Sequence, residues 1–442
     1  MASKDLLEID GRTGEGGGQL VRIACALAAV TSQPIRVHHV RGNRPGGRRG
    51  GGGGLKSQHV TAFRWLAEAT DAQADGLEVG SQMLEFRPSV PPPTAFRGRS
   101  RRVTIAAESA AASALLVFQA VFPFLLFAGG PLGEDEIGLE IRGGTNVSFS
   151  PSYEYLDQVM LPTLEDRFGI TVERRLLSRS WSLGPTSSSS GAISFKFRPL
   201  EPGQTLKLKP KPKPKPKLTD GNHVTSREEE EGASFEIRQI DASILVPRAV
   251  RAPLERALVR DLGARFPGAE VRFVVDGDSG HEARLYALVV ARSAGGLRWG
   301  RDWLYDRSAK KKTPDKLAAE ISRKVCGDLH AEVANRRGVV DEFLQDQLVI
   351  FQALAEGRTS FPRRRSSRPN EASAEDDDEI ADLEHSVGGL ELERVMRRDE
   401  AHGPFGDGSL HARTARWVAS ELLPAVRWFD GGSVCDGAGV SF

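Results

Sequence analysis

Short strand-like runs alternate with helical runs along most of this chain, and no other feature constrains the fold as strongly. Residues 20–31 place apolar side chains on one helical face, Pro34 blocks continuation, and the strand-like run IRVHHV follows. Further strand-like runs are RVTIA, ISFKF, FEIRQI, EVRFVV and RLYALVVA. Helical spacing recurs at 55–69, 108–128, 153–166, 251–264, 314–334 and 341–355. The alternation predicts an α/β (α+β) fold, and we find no exact internal repeat in the sequence.

Size and composition are those of an ordinary globular protein. The chain has 442 residues, enough for about two or three domains. It is 39% hydrophobic and 27% charged, values that favour neither global disorder nor a membrane protein. The formal charge is only +1, so attraction to a polyanion requires charge clustered at a site. Three cysteines without metal-ligand spacing indicate a reducing, intracellular compartment.

One apolar run is long enough to raise the question of a membrane span. It covers residues 110–128 but contains Ser113, Gln119 and Pro123, and it has no flanking basic belt. We predict a buried, kinked helix here, and no membrane partner.

Two segments have compositions that cannot build a packed core. Residues 206–232 contain alternating Lys-Pro followed by an acidic block, and residues 361–384 change abruptly from basic to acidic. We predict that both are disordered insertions. The glycine-rich tract 44–55 is predicted to be a mobile loop.

The strongest local motif is Gly14-Glu15-Gly16-Gly17-Gly18-Gln19, which precedes a helix carrying Arg22. Consecutive glycines let backbone N–H groups converge on an anion at a helix start, so a phosphate is a natural ligand. The segment is neither a P-loop nor a dinucleotide fingerprint. A turn that merely joins a strand to a helix is the alternative interpretation.

Polar and basic residues follow the IRVHHV strand and suggest a site for an oligonucleotide end. Arg41, Arg44, Lys56, Gln58 and His59 lie in or beside one loop. Guanidinium groups bind phosphate through paired hydrogen bonds, and Gln or His can bind ribose hydroxyls. The alternative is that these arginines are simply solvated.

Two later segments could also carry chemistry. In DEFLQDQL (341–348), helical spacing brings Glu342 and Asp346 together, which suits a metal or a nucleotide sugar, although acidic helix starts are common. His411 stands between a small turn and a predicted helix and could be a nucleophile. A lone histidine is more often structural or exposed.

Seven blocks of the sequence, taken in order, resemble the RNA 3'-terminal phosphate cyclases. The blocks are IDGRTGEGGGQLVR, RGNRPGG with LKSQHVTAFRWLAEA, GSQMLEFRP, ASALLVFQAVFPFLLFAGG, IRGGTNVSFSPSYEYL, VDEFLQDQL and SLHARTA. The resemblance covers most of residues 5–180 and 315–442 and is weaker between them. It implies a large domain of repeated α/β units, each a four-stranded sheet backed by two helices, with a smaller inserted α/β domain. We place the large domain at 1–184 and 316–442 and the insert at 185–315.

The resemblance also implies an activity, which is conversion of an RNA 3'-phosphate end to a 2',3'-cyclic phosphodiester with ATP and Mg²⁺ or Mn²⁺. His411 would become covalently adenylated, AMP would pass to the RNA, and AMP and pyrophosphate would be released. Glu15 would help to place the metal. The other implied positions hold phosphates (Arg22, Arg41, Arg44, Gln58 and His59) or form the adenosine pocket (Gln119, Pro151, Phe343, Asp346 and Gln347).

Three departures from the family pattern bear on activity. Phe343 replaces the more usual Tyr, Ala412 replaces a common Thr, and SWSLGPTSSSSGAISF stands where the family has Pro and a Gly run.

Two other functions are alternatives to the cyclase activity. The first is that of a catalytically inactive, cyclase-like scaffold of ribosome assembly, and the second is that of an enzyme that transfers a group to a small sugar or carboxylate. The family also implies location in the nucleus (nucleoplasm), with the cytoplasm as a second location. The sequence predicts no oligomeric state.

Overall fold

We describe the protein from a computed structural model of the chain. The structure describes residues 4–44, 53–107, 109, 111–130, 136–183, 190–209, 235–309, 311–334, 338–363 and 405–442. The predicted insertions at 206–232 and 361–384 lie outside the described residues except at their first few positions, as do most of the glycine-rich tract and part of the serine-rich segment. Within these residues four sheets alternate with helices, which confirms the predicted α/β class.

The N-terminal unit is a four-stranded sheet backed by two helices. Its elements are β1 (Leu7–Asp10), α1 (Gly18–Thr31), β2 (Ile35–His38), α2 (Ser57–Ala69), β3 (Gln73–Asp75) and β4 (Leu84–Arg87). The strand order is β1-β2-β4-β3, with β1 and β2 parallel and the other pairs antiparallel. Alternate residues of β2 and β4 are buried, as expected for a sheet covered on one face.

A second unit has the same connectivity. Its elements are β5 (Arg102–Ala106), α3 (Ala114–Leu126), β6 (Ile137–Gly143), α4 (Tyr153–Tyr155), a π-helix (Leu156–Met160), α5 (Leu161–Phe168), β7 (Val172–Ser178) and β8 (Gly191–Phe197). The order β5-β6-β8-β7, again with only the first pair parallel, matches that of the first unit. The first two units therefore form a structural repeat, as the family resemblance implied, although the sequence shows no exact repeat.

The third unit has a different strand order and its own core. Its elements are β9 (Ile237–Val246), α6 (Arg248–Arg265), β10 (Glu270–Asp278), β11 (Tyr286–Ser293), β12 (Arg298–Leu304) and α7 (Pro314–Val333). The sheet order is β10-β9-β11-β12, and apolar residues of α6 and α7 pack on one face of it. Strand β12 was not predicted, because RWGRDWL mixes charged and aromatic residues without regular alternation. The predicted domain boundaries at 184/185 and 315/316 stay a prediction.

The C-terminal elements complete the main core. They are α8 (Glu342–Leu354), β13 (Glu356–Ser360), α9 (Leu410–Leu422), β14 (Arg427–Phe429) and β15 (Val434–Ala438). The three strands form an antiparallel sheet in the order β13-β15-β14. Helices α8 and α9 share the large apolar core with the first two units. Helix α9 packs against α1, so the two ends of the chain meet.

Helix α3 is shorter than the predicted 108–128. Ser113 caps its start, where the Ser113 hydroxyl accepts a 3.2 Å hydrogen bond from the Leu116 amide, and Pro123 lies within the helix. Every residue of α3 except Gln119 is buried. Within the described residues, no helix has the length and apolarity needed to cross a membrane.

Candidate active site

The glycine motif forms a tight turn that leads into α1. Gly14 and Gly16 have φ values of +63° and +57°, a conformation that favours glycine. Gly17 is the N-cap residue of α1 and offers no side chain to the helix terminus. The first amides of α1 therefore have no intrahelical partner, and together with the helix dipole they favour an anion.

Glu15 is buried within this turn and is fully engaged. Its Oε2 accepts a 2.9 Å hydrogen bond from the Gly17 amide, and its Oε1 pairs with Arg44. Oε1 also lies 3.5 Å from Nε2 of His411. Burial raises the pKa of Glu15, but His411 and Arg44 outweigh burial and lower it to about 2. The carboxylate is therefore ionised at neutral pH.

His411 is the second residue of α9. Ser409 caps this helix by accepting a 3.1 Å hydrogen bond from the Ala412 amide. The His411 side chain is 41% exposed, so a ligand can reach the ring. Burial lowers the pKa of His411, but Glu15 and Asp346 outweigh burial and raise it above its usual value. The structure thus joins a predicted nucleophile to the predicted metal-binding carboxylate.

His59 and Arg22 face the start of α1. A Cβ atom added to Gly18 would lie 2.8 Å from Nε2 of His59 and 2.9 Å from an Nη atom of Arg22. The Lys56 amide donates a 3.1 Å hydrogen bond to Nδ1 of His59, so the ring proton of the neutral imidazole is on Nε2. This buried Nε2 has no hydrogen-bond partner within the part of the chain that the structure describes. An anion at the α1 terminus would supply one.

The charge state of these two residues suits an anion. Burial and then Arg22 and Arg41 lower the pKa of His59 well below its usual value, so its imidazole is neutral. Burial lowers the pKa of Arg22 to about 10, against the opposing effect of Glu15 and Asp346, so its guanidinium stays charged at neutral pH. The pair combines a neutral donor with a fixed positive charge.

The remaining predicted phosphate-binding residues line the same region. Arg41 has a φ of +56° and donates a 3.2 Å hydrogen bond to the Gly54 carbonyl, a contact between two described residues of the segment that joins β2 to α2. Gln58 is buried at the start of α2, next to His59. Arg41 also contributes to the shifted pKa values of Arg22, His59 and Lys56, which indicates that these groups are close to one another.

A pocket of about 410 Å³, counting the space open to solvent, lies between α1, α3 and α8. Its polar lining is Gln19, Arg22, Gln119, Asp346 and Gln347, and its apolar lining includes Phe118, Phe122, Ile350 and Phe351. The amide of Gln119 donates to Oε1 of Gln347, and Gln347 donates to Asp346 at 2.7 Å. Burial raises the pKa of Asp346 to about 6, although His411, Gln347, Gln19 and Arg22 oppose the rise. A pocket with one apolar wall and several amides suits a heterocyclic base.

Two residues predicted for the adenosine pocket do not line it. The Phe343 ring is 41% exposed, lies 6.1 Å from the Tyr155 ring and has the Arg301 guanidinium 4.5 Å from its centroid. Phe343 precedes Gln347 by one helical turn, so it lies beside the pocket rather than in its wall. Pro151 directly precedes Ser152, the N-cap residue of α4.

The two carboxylates that helical spacing brought together on α8 have separate cationic neighbours. Glu342 pairs with Arg301 at 3.2 Å and with Arg363 at 3.4 Å. Asp346 instead lies near His411 and Arg22. Arginine side chains therefore supply the positive charge beside Glu342.

No group of three or more His, Cys, Asp or Glu side chains among the described residues could hold a metal ion. This does not exclude Mg²⁺, which is commonly bound through one or two carboxylates, several waters and substrate phosphates. Glu15 is the ionised carboxylate beside the predicted phosphate site. Glu15 could bind a cation that enters together with a nucleotide, because the charge of that cation could replace the charge of Arg44 or His411 beside the carboxylate.

Two residues of this region were missed by the sequence analysis. Gln19 lines the pocket, and its position in the first turn of α1 was an available signal. The hydroxyl of Thr414 accepts a 2.7 Å hydrogen bond from the Glu15 amide, and Thr414 lies three residues after His411, nearly one helical turn. Contacts such as this one, between opposite ends of the chain, leave no local pattern.

Comparison with known proteins identifies the class to which this fold and site belong. A family model described as RNA 3'-terminal phosphate cyclase matches residues 13–385. A protein of Ignicoccus hospitalis with the same name is 30% identical over 357 residues, covering 80% of this chain and 86% of that protein. Equally named proteins of Pyrococcus furiosus (30% over 355 residues; 80% and 87% covered) and Methanosarcina mazei (32% over 364 residues; 81% and 90% covered) are also similar.

The chain belongs to the RNA 3'-terminal phosphate cyclase family. This confirms the resemblance inferred from the seven sequence blocks and the prediction of an enzyme of this type. These three relatives are archaeal and lend no support to nuclear location, which stays a prediction.

Proposed function

We propose that this protein uses ATP to convert an RNA 3'-phosphate end into a 2',3'-cyclic phosphodiester, through a covalent adenylate on His411. The family match supports RNA 3'-end cyclisation in general. The arrangement of His411, Glu15 and the cluster around Arg22 and His59 supports the route.

In the first step, a ring nitrogen of His411 attacks the α-phosphorus of ATP. A P–N bond forms, the bond to the bridging oxygen breaks, and pyrophosphate leaves. A neutral imidazole is a competent nucleophile, and once protonated it is a good leaving group, so His411 can act in both directions. The adenine would occupy the pocket between Gln119 and Gln347, with Phe343 beside it.

In the second step, an oxygen of the RNA 3'-phosphate attacks the same phosphorus. The P–N bond breaks, His411 is released, and the RNA carries a 3'-linked adenylate. In the third step, the adjacent 2'-hydroxyl attacks the RNA 3'-phosphorus and loses its proton, the cyclic phosphodiester closes, and AMP leaves. The RNA end must therefore be held close to His411 throughout.

Positive charge stabilises the phosphates in all three steps. Arg22, Arg41 and Arg44, with the Nε2 proton of His59, Gln58 and the amides of the α1 terminus, would bind the transferring groups. Glu15 would hold Mg²⁺ or Mn²⁺ against the ATP phosphates. When bound, the cation neutralises charge that develops on the transferring phosphate.

The observation that carries this proposal is the 3.5 Å contact between Nε2 of His411 and Oε1 of Glu15, directly beside the α1 terminus. The alternative of an inactive scaffold has no support from the family match. None of the three relatives named above is described as a scaffold or as a transferase acting on a sugar or carboxylate.

A labelling experiment tests the route. The purified protein is incubated with Mg²⁺ and ATP labelled at the α-phosphate, and we expect an acid-labile, alkali-stable protein adduct. His411→Ala should abolish the adduct, whereas His330→Ala, which changes an exposed histidine on α7, should leave it intact.

The adduct should then be discharged by RNA with a 3'-phosphate, giving a cyclic end and AMP. A folded protein that forms no adduct, or an adduct that survives in His411→Ala, would refute the proposed route. RNA with a 3'-hydroxyl is the matched substrate control and should leave the adduct in place.

A further inference from the structure

Four arginines lie within six residues, away from the site described above. Arg97, Arg99 and Arg101 lie in the segment between the 3₁₀ turn Pro92–Thr94 and strand β5, and Arg102 is the first residue of β5. We call these four residues the distal arginine surface. In a chain whose formal charge is only +1, such a cluster is a local concentration of positive charge.

Two of these arginines fix the segment to the helices beneath it. Arg99 donates a 2.7 Å hydrogen bond to the Glu68 carbonyl and pairs with Asp71 at 2.9 Å, which attaches it to the C-terminal end of α2. Arg101 donates a 3.0 Å hydrogen bond to the Ala128 carbonyl, just beyond α3. The backbone of the segment is therefore held in a defined position.

The other two arginines are available to a partner. Arg97 and Arg102 are exposed, and their side chains make no hydrogen bond or ion pair with the residues that the structure describes. Long charged side chains of this kind keep their phosphate-binding capacity, because no carboxylate competes for the guanidinium.

Helix α2 connects this surface to the predicted site. Its first turn carries Gln58 and His59, and its last turn carries Glu68, the residue that Arg99 contacts. Its 13 residues span about 20 Å, at about 1.5 Å per residue. About six stacked nucleotides cover that distance at about 3.4 Å each. Arg64 is exposed on the outer face of α2 between the two ends.

We propose that the distal arginine surface binds the phosphate backbone of the RNA substrate, several nucleotides upstream of its 3' end. This rests on the proposed function, which places the 3'-phosphate at the N-terminal end of α2. Arginine contacts to phosphate position an RNA strand without reading its sequence. The surface thus distinguishes substrates by length, since an RNA of three nucleotides cannot reach it.

A double variant tests the proposal. Arg97→Gln with Arg102→Gln removes two charges that form no hydrogen bond or ion pair with the described residues, so the fold should be unaffected. The matched control is Arg256→Gln with Arg323→Gln, which removes two exposed arginines from α6 and α7. Cyclisation is measured with 3'-phosphorylated RNAs of three and twelve nucleotides.

For the twelve-nucleotide RNA, we expect the test variant to raise KM about tenfold without changing kcat, because each lost phosphate contact weakens binding uniformly. The slope of log KM against log salt should fall by about 1.4, at about 0.7 for each single-strand contact. KM for the three-nucleotide RNA should not change. The control variant should match the original protein with both RNAs.

Three results would overturn the proposal: an unchanged KM for the longer RNA, an equal effect on the short RNA, or an equal effect of the control variant. If neither the original protein nor any variant cyclises either RNA, the proposed function fails, but RNA binding by the distal arginine surface can still be tested. Binding of a twelve-nucleotide RNA that lacks the 3'-phosphate is then measured by fluorescence anisotropy for all three proteins. Weaker binding by the test variant alone supports the surface, and equal binding by all three proteins refutes it.

Discussion

Nε2 of His411 lies 3.5 Å from Oε1 of Glu15, although the two residues come from opposite ends of the chain. The contact exists because α9 packs against α1 and brings its first turn to the glycine-rich turn before α1. In the protein without ligands, the carboxylate favours the protonated imidazole. Nucleophilic attack requires the neutral form, so ligands that compete for Glu15 would favour the first chemical step.

Glu15→Gln should lower the pKa of His411. Glu15 raises that pKa through its hydrogen bond and its charge, and an amide retains at most the hydrogen bond. We expect the imidazole signal of His411, assigned by its loss in His411→Ala, to titrate at lower pH in an NMR titration of the metal-free variant. Glu320→Gln, which changes a distant carboxylate on α7, should have no effect. An unchanged His411 titration in Glu15→Gln would contradict the assigned contact.

Thr414→Val should destabilise the protein more than Thr414→Ser, because serine keeps the hydroxyl and loses only a buried methyl group. The fully buried Thr414 hydroxyl accepts a 2.7 Å hydrogen bond from the Glu15 amide and donates a 2.8 Å bond to the Leu410 carbonyl. Valine keeps the shape but leaves the buried amide without an acceptor, which costs about 1–3 kcal/mol. The free energy of unfolding, measured in urea, should show this difference. Equal stability of the Val and Ser variants would mean that water replaces the hydroxyl.

Gly18→Ala should weaken ATP or RNA binding by about tenfold or more, the loss expected from about 1.4 kcal/mol. Its Cβ would lie 2.8 Å from His59 and 2.9 Å from Arg22, so one of these side chains must leave its position. Gly263→Ala in α6 is the matched control, because its Cβ would meet nothing within 4 Å. This control should bind normally and be up to about 1 kcal/mol more stable. Calorimetric titration of each variant measures the difference, and equal affinities would exclude a phosphate site at Gly18.

Asp302→Asn should change how stability depends on pH. Asp302 accepts hydrogen bonds from Ser152 at 2.9 Å and Tyr286 at 3.0 Å, and burial raises its pKa to about 6 despite them. The folded protein therefore binds a proton between about pH 6 and pH 4 that the unfolded chain, with a pKa near 3.9, does not. Stability due to this group increases as pH falls through that window and is lowest above pH 6.

The Asn variant resembles the protonated form at every pH. We expect it to be about 1–3 kcal/mol more stable than the original protein at pH 7.5, with the difference disappearing near pH 4. Urea unfolding of both proteins at several pH values measures this difference, in which the contributions of other groups cancel. A constant difference across the range would show that Asp302 does not titrate in the folded protein.

Local sequence patterns predicted much of the secondary structure. RVTIA forms β5 with the predicted bounds, and the helix predicted at 314–334 is α7 to within one residue. The predictions failed where local signals were weak, as in β12. The repeated units were expected only from the family resemblance and not from a repeat in the sequence, because a shared topology requires similar patterns of burial and not similar residues.

For the site, the sequence by itself determined the chemical groups: a glycine-rich helix start, clustered arginines, and a histidine at the start of a second helix. These depend on neighbouring residues, since helix starts and turns are specified within a few positions. Only the tertiary structure decided that His411 meets Glu15, that Thr414 binds the Glu15 amide, and that Gln19 shares a pocket with Asp346. These contacts join distant segments, and they form only when burial of the common apolar core brings α1, α8 and α9 together.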